Sequence, residues 1–397
     1  MTIAPVDVIA GVDTHAETHH AAVIDTNGRQ LGDRQFSTDH GGYVALLEFL
    51  RSFGAVVRVG VEGTGSYGAG LSRHLRQAGV EVVEVIRPNR QVRRMHGKSD
   101  PIDAYAAAKT ALVESQHPVP KSADGPVEGI RYLLVARRSA VKARSAAQTQ
   151  IKTLLVTAPD PLRQQFRQVS DKVLIADLAQ LRPNTQDAVA MALKSLARRH
   201  QHLSREIDDL EAQLASLVTT ANPALAATKG VGTITAAQLL VTAGDNPDRL
   251  HSEASFAALI GVSPIPASSG KITRHRLNRG GDRQANAAVH RIALVRMSYE
   301  PRTRAYVAKK RAQGRSTREI IRCLKRAIAR EVFILLTRQV EVPRVDDLRP
   351  LREERGLTLT KVAEHFGVWP MVISTIERGT RRDDDFATTY RQWLLTA

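Results

Sequence analysis

Four carboxylates have types and spacing that could do chemistry together: Asp13, Glu62, Asp100 and Asp103. Asp13 closes the apolar run VDVIAGVD, Glu62 lies in VRVGVEG, and Asp100 and Asp103 open the Ala-rich stretch DPIDAYAAAKTAL. Residues three apart in a helix share a face, so Asp100 and Asp103 can both point at one sheet edge. Gathered acids repel one another unless a cation neutralises them, and all-oxygen donors suit Mg2+ or Mn2+. Two such ions about 4 Å apart can activate a nucleophile and stabilise the leaving oxygen of a phosphoryl transfer. Taken singly, each acid has a plainer role; Ser99 or Asp100 can cap a helix in which Pro101 is preset at the first turn. The order Asp…Glu…Asp-x-x-Asp on the right elements is what favours a metal site.

The bulk of the chain fits that chemistry. Its 397 residues suggest two to four domains, and 43% hydrophobic with 24% charged residues is ordinary for a globular protein. The net charge of +17 is not ordinary and calls for a polyanionic partner, nucleic acid or an anionic membrane surface. No apolar run approaches the roughly 20 residues that span a bilayer, and no signal-peptide pattern opens the chain, so we expect no membrane partner and a cytoplasmic location. A single cysteine, Cys323, excludes an internal disulfide and a multi-cysteine zinc site.

The elements that must position the acids follow from periodicity. VDVIAGVD, HHAAVID and RQLGDRQFST read as three strands, with the turn signal TNG between the second and third. GGYVALLEFLRSFG is a helix stopped at Gly54, VVRVGVEG a buried strand, YGAGLSRHLRQAG a helix and VEVVEVI a strand, before further helices. Three strands, then helix, strand, helix, strand and helices is the order of a ribonuclease H-like α/β fold, a mixed sheet with helices on both faces. In that fold the strands of Asp13 and Glu62 are neighbours. The basic run Arg87, Arg90, Arg93, Arg94 and Lys98 precedes the paired acids and is placed to hold a nucleic-acid backbone. His15, His19 and His20 read as surface histidines, and Tyr67 in GTGSYG is not read as a nucleophile.

Beyond residue 115 helical patterns take over. Leu203, Ile207, Leu210, Leu214 and Leu217 fall at coiled-coil spacing, as a dimerisation arm or a local hairpin would have them. NPALAATKGVGTITAAQLLV carries a Gly-Val-Gly turn between helices, the pattern of a helix-hairpin-helix or of an ordinary turn. The expected divisions are 1–115 for the acid-bearing domain, 116–222 for the helical coiled-coil region, 223–340 for a mostly α domain and 345–397 for a separate small unit.

The stretches GVDTHAETH, VGVEGTGSYG, GKSDPIDA, PIPASSGK and RGGDRQANAAVHRI, in this order, resemble the insertion-sequence 110 family of DEDD transposases, which are similar to the Piv DNA invertase. The resemblance covers roughly residues 7–340. It implies a Holliday-junction-resolvase-like domain with the tetrad Asp13, Glu62, Asp100 and Asp103, a coiled-coil element, and a second domain with a catalytic serine. It further implies site-specific recombination guided by a structured non-coding RNA that pairs with donor and target DNA. A homodimer or tetramer is expected. The serine falls in ASSG, as Ser268 or Ser269; Ser269 is preferred because the Ser-Gly pair is shared. Lys271, Arg274, Arg276, Arg279 and Arg283 surround it as candidate nucleic-acid contacts.

The tail LREERGLTLTKVAEHFGVWPMVISTIERGT resembles the helix-turn-helix of Cro/cI-type repressors. Leu351, Val362, Ala363, Val368, Ile373 and Ile376 fit its core, and Met371, Val372, Ser374 and Thr375 its recognition helix. It departs from the pattern at Leu359, where a phosphate-contacting glutamine is common, and at Trp369, where a small cap is usual. Three functions compete: a transposase or recombinase, a junction-resolving endonuclease that does not rejoin strands, and a non-catalytic DNA-binding regulator. The Ser-Ser-Gly domain favours the first over the second. The acids disfavour the third, since without a metal they would weaken DNA binding.

Overall fold

The structure, a computed structural model, describes residues 6–85, 99–113, 118–183, 187–268, 275–342, 344–379 and 383–396. The chain divides into two compact units, Met1–Glu128 with Ala243–His251, and Gly129–Thr242 with Ser252–Ala397.

The first unit runs β1 (Asp7–Thr14), β2 (Thr18–Asp25), β3 (Gln30–Ser37), α1 (His40–Arg51), β4 (Ala55–Glu62), α2 (Ala69–Gln77), β5 (Glu81–Val85) and α3 (Asp100–Val113). The strands form one sheet in the order β3-β2-β1-β4-β5. β1 pairs antiparallel with β2 and parallel with β4, which pairs parallel with β5. This mixed sheet is consistent with the expected ribonuclease H-like fold. The β2–β3 turn is built by Asp25, whose carboxylate accepts from the backbone N–H of Asn27 and Arg29, and by Gly28 at φ +83°.

Strand alternation sorts β1 onto two helical layers. Val8, Ala10 and Val12 join one core with Leu46 and Leu50 of α1 and Leu71 and Leu75 of α2. Ile9 packs on the other face with Ala108 and Ala111 of α3. Each fully buried Leu contributes on the order of 1.5–3 kcal/mol. α3 lies so close to the sheet that side chains are excluded beneath it: a Cβ at Gly11 would sit 2.1 Å from the Ala108 nitrogen, and one at Gly60 would sit 2.7 Å from the Ala107 oxygen. Gly11 shares its strand face with Asp13, and Gly60 with Glu62, so the glycines that admit α3 lie one step before the acids.

Segment 243–251 is stitched into the same unit. The Asn246 side chain accepts from the Ser122 N–H at 3.0 Å and donates to the Pro120 oxygen at 3.0 Å. Asp245 accepts from the Val127 N–H at 2.7 Å.

The second unit is nearly all helical: α4 (Pro126–Thr157), α5 (Asp160–Gln165), α6 (Asp171–Gln180), α7 (Ala188–Ala221), α8 (Pro223–Ala227), α9 (Thr233–Ala243) and α10 (Glu253–Leu259). A small hairpin, β6 (Ile265–Pro266) and β7 (His275–Arg276), precedes α11 (Arg283–Tyr299), α12 (Pro301–Ala312) and α13 (Thr317–Thr337). The tail adds α14 (Leu348–Glu354), α15 (Leu359–Phe366), α16 (Pro370–Glu377) and α17 (Asp384–Thr396).

α4 and α7 have 32 and 34 residues and are each about 50 Å long. Of the expected seam, Ile207 and Leu214 are buried while Leu203, Leu210 and Leu217 are half-buried. The N-terminal half of α7 instead packs locally, with Leu193 and Ala197 against Ile151, Phe166 and Leu178. The tail has its own core of Leu348, Val362, Ala363, Ile373, Ile376, Ala387, Tyr390 and Leu394, while Leu351 and Val368 lie partly buried against it. Within it Arg352 donates to both Glu377 oxygens, at 2.6 and 3.0 Å, and the Tyr390 hydroxyl donates to Glu377 at 2.8 Å.

Candidate active site

The acids stand where the two parallel central strands end. β1 and β4 are in register through Val12 and Val61, so Asp13 and Glu62 follow as neighbours at the C-terminal ends of their strands. The Thr14 hydroxyl donates to the Glu62 carbonyl at 2.9 Å and ties the two ends together. α3 begins at Asp100, and the Asp103 N–H donates to the Ser99 oxygen at 3.1 Å, fixing the first turn against the sheet.

Asp13, Glu62 and Asp103 are only 6%, 4% and 3% exposed; Asp100 is half-buried. Burying three carboxylates near one another is costly unless each is hydrogen-bonded, paired or held on a cation. Ligand atoms of Asp13, Asp100 and His15 all lie within 4.8 Å of one another. The His15 Nδ1 is 3.8 Å from Asp13 Oδ2. Two carboxylates and one imidazole at that spacing form a donor set that can hold a divalent cation. Glu62 and Asp103 stand outside this closest group. Glu62 lines, with Thr14, Gly63, Ser66, Tyr67 and Val85, a cleft of about 390 Å³.

Of the histidines, His15 has a side chain 44% exposed, as a surface residue would, and it belongs to the acidic cluster. His19 is fully buried, its ring stacked 5.8 Å from that of Tyr43, and burial holds its pKa below the usual histidine value. His20, on the opposite strand face, is half-buried and meets Asp33 at 2.7 Å.

The serine motif sits on a different framework. Ser268 is exposed just after β6; Ser269, Lys271 and Arg274 lie outside the described residues. The hairpin pairs Ile265 with Arg276 and Pro266 with His275. Its return is anchored by residues for which sequence reading assigned no role. Asp282 caps α11 by accepting from the N–H of Gln284 and Ala285, and it accepts from the Thr242 hydroxyl at 2.6 Å. Asn286 donates to the Ile260 and Gly261 carbonyls at 2.8 and 3.0 Å. An Asp immediately before a helical run was the available signal for the cap.

Comparison with known proteins decides the class. Residues 10–158 match a family model described as a transposase, of the IS110 type, and residues 222–308 match that of the transposase IS116/IS110/IS902 family. Together these matches cover more than half of the chain. The chain belongs to the IS110 family of transposases. The first match contains all four acids and the second contains both serines. Over 380 residues the chain is 24% identical to an uncharacterized 43.6 kDa protein of insertion element IS110 from Streptomyces coelicolor, covering 82% of this chain and 93% of that protein. It is 24% identical to an uncharacterized 42 kDa protein of insertion element IS900 from Mycobacterium paratuberculosis, covering 80% and 93%. It is likewise 24% identical to the transposase for insertion sequence element IS1328 from Yersinia enterocolitica, covering 73% and 84%. Its function is that of an insertion-element transposase, an enzyme class that acts on DNA.

The remaining candidates of the transposase are spread out. Arg87, Arg90, Arg93, Arg94 and Lys98 lie outside the described residues; Arg276, Arg279 and Arg283 are exposed around the hairpin return. In the tail, Gly367 takes the left-handed conformation at φ +63° between α15 and α16. Trp369 precedes α16 without any side-chain cap bond and is 80% exposed. Met371 is exposed, whereas Val372, Ser374 and Thr375 are half-buried. Among the described residues no helix is long and apolar enough to cross a membrane.

Proposed function

We propose that this transposase cuts and rejoins DNA with a metal-bound tetrad, Asp13, Glu62, Asp100 and Asp103, and a serine nucleophile, Ser269, with Ser268 as the alternative. The observation that carries the metal site is the approach of Asp13 and Asp100 to within 4.8 Å at the ends of β1 and α3, beside buried Glu62 and Asp103. Divalent ions held by these acids would activate the attacking hydroxyl and stabilise the departing deoxyribose oxygen. The acids' own work is to hold charge in fixed positions: Asp13 and Glu62 on rigid parallel strands, Asp100 and Asp103 on a helix pressed to the sheet through Gly11 and Gly60. His15 adds an imidazole that steadies Asp13.

The serine oxygen forms a bond to phosphorus as the bond to the deoxyribose oxygen breaks, and the covalent link conserves the energy needed for rejoining. A structured non-coding RNA, suggested by the family resemblance and compatible with a net charge of +17, selects donor and target DNA. The tail is an accessory helix-turn-helix outside both family matches.

Asp13→Ala and Asp103→Ala should abolish Mg2+-dependent cleavage while the melting temperature holds or rises, because each removes a metal ligand and relieves carboxylate repulsion. Normal excision by either variant would overturn the metal site.

A further inference from the structure

Beside the hairpin lies a cavity of about 540 Å³ whose lining includes Val262, Pro264 and Leu277 and the side chains of Arg276, Arg322, Lys325 and Arg326. Among the described residues its walls hold four cations and no carboxylate. Arg326 is engaged by Glu253 at 2.7 Å, outside the lining. Lys325 is half-buried, and its Nζ donates at 2.6 Å to the neutral Asn286 amide oxygen. Burial pushes the Lys325 ammonium below its ordinary pKa. An ammonium in such a setting gains from an incoming anion far more than an exposed lysine does. Arg276 and Arg322 are exposed and face the same space. The rest of the lining is largely apolar, with Val262, Pro264 and Leu277, the last 62% exposed. Cations beside an apolar wall match a nucleotide, which joins an anionic phosphate to a flat hydrophobic base.

We propose that this cavity holds one nucleotide of the DNA strand presented to the hairpin serine, its phosphate between Arg276, Arg322 and Lys325 and its sugar and base against Val262, Pro264 and Leu277. DNA is favoured over RNA because β7 and the approach to β6, the strands that flank the serine motif, also form the cavity wall. The proposal rests on the serine reading for the identity of the strand, but its test does not depend on cleavage.

The test is fluorescence anisotropy in EDTA, with a labelled single-stranded DNA and an RNA of matching sequence, between 50 and 200 mM salt. Arg322→Gln and Lys325→Gln each remove one phosphate contact, so the slope of log affinity against log salt for DNA should become shallower by about 0.7. Lys172→Gln, on α6, should leave it unchanged. Because Arg322 is exposed, Arg322→Gln should melt like the parent; Lys325→Gln also gives up the 2.6 Å bond to Asn286, so its slope is compared at a temperature where circular dichroism shows it folded. Unchanged slopes, or a change confined to RNA, would overturn the proposal. Serine or acid variants that lose cleavage but keep the parental slope leave it standing, so failure of the cutting mechanism and failure of this site are separable.

Discussion

The acid site and the serine hairpin are held in opposite ways. The acids stand on central strands and a helix that leaves no room for a Cβ at Gly11, and three of them are almost fully buried. The serine motif follows a strand of two residues, and Ser268 is exposed. Like charges kept close must be fixed by a scaffold that cannot relax, since any slack would let them separate. A serine proposed to become linked to DNA must instead be accessible, and the hairpin's support is concentrated at its base, in Asp282 and Asn286. Rigidity is thus spent where electrostatic strain lies, and loops carry the group that meets the substrate.

Breaking the scaffold should have the largest effect. Gly11→Ala places a Cβ 2.1 Å from backbone of α3 and should destabilise the first unit by about 3 kcal/mol or more, seen as a fall in its melting transition and loss of cleavage. Gly280→Ala beside the hairpin meets only the Asn278 side chain at 3.2 Å and should melt like the parent. Equal stability of the two variants would erase the contrast between the regions.

That contrast also marks what sequence could and could not reveal. The strand runs, the paired acids of DPIDA and the order of elements are local patterns, and they predicted the sheet and the neighbouring strands of Asp13 and Glu62. The place of His15 depends on the turn in which its N–H donates to the Thr18 oxygen, which no periodicity encodes. The burial of His19 depends on Tyr43 arriving from α1. Gly11 and Gly60 read as strand glycines, and only the tertiary approach of α3 gives them a purpose. The leucine spacing of α7 announced a long helix and left a dimerisation arm or a local hairpin open; which helices its first half meets, α4 and α6, depends on tertiary packing.

A smaller effect should follow from pH. His19 and His74 both have pKa values lowered chiefly by burial. Both stay neutral in the fold, so the unfolded chain takes up protons first as pH drops. Their contribution is complete above about pH 6.5 and is lost as pH falls toward the folded values. Melting temperature should therefore decline from pH 7 to 5.5, and His19→Gln should flatten that decline; an unchanged slope would remove His19 from the account.

The smallest effect concerns the tail. Removal of residues 345–397 loses a self-contained core and the Lys229–Asp383 ion pair at 3.5 Å, a partly exposed contact worth little. Cleavage of a pre-assembled substrate should be unchanged in rate, measured on denaturing gels; a folded truncation that cannot cut would give the tail a catalytic part.

The most direct measurement is to trap the cleaved complex and locate the protein–DNA link by peptide mass spectrometry. The account predicts a phosphodiester bond to Ser269, formed only with divalent metal, absent from Ser269→Ala and from Asp13→Ala, and retained by Ser268→Ala. An adduct on any residue other than these two serines, or clean cleavage with free DNA ends by Ser269→Ala, would contradict it and leave water as the nucleophile.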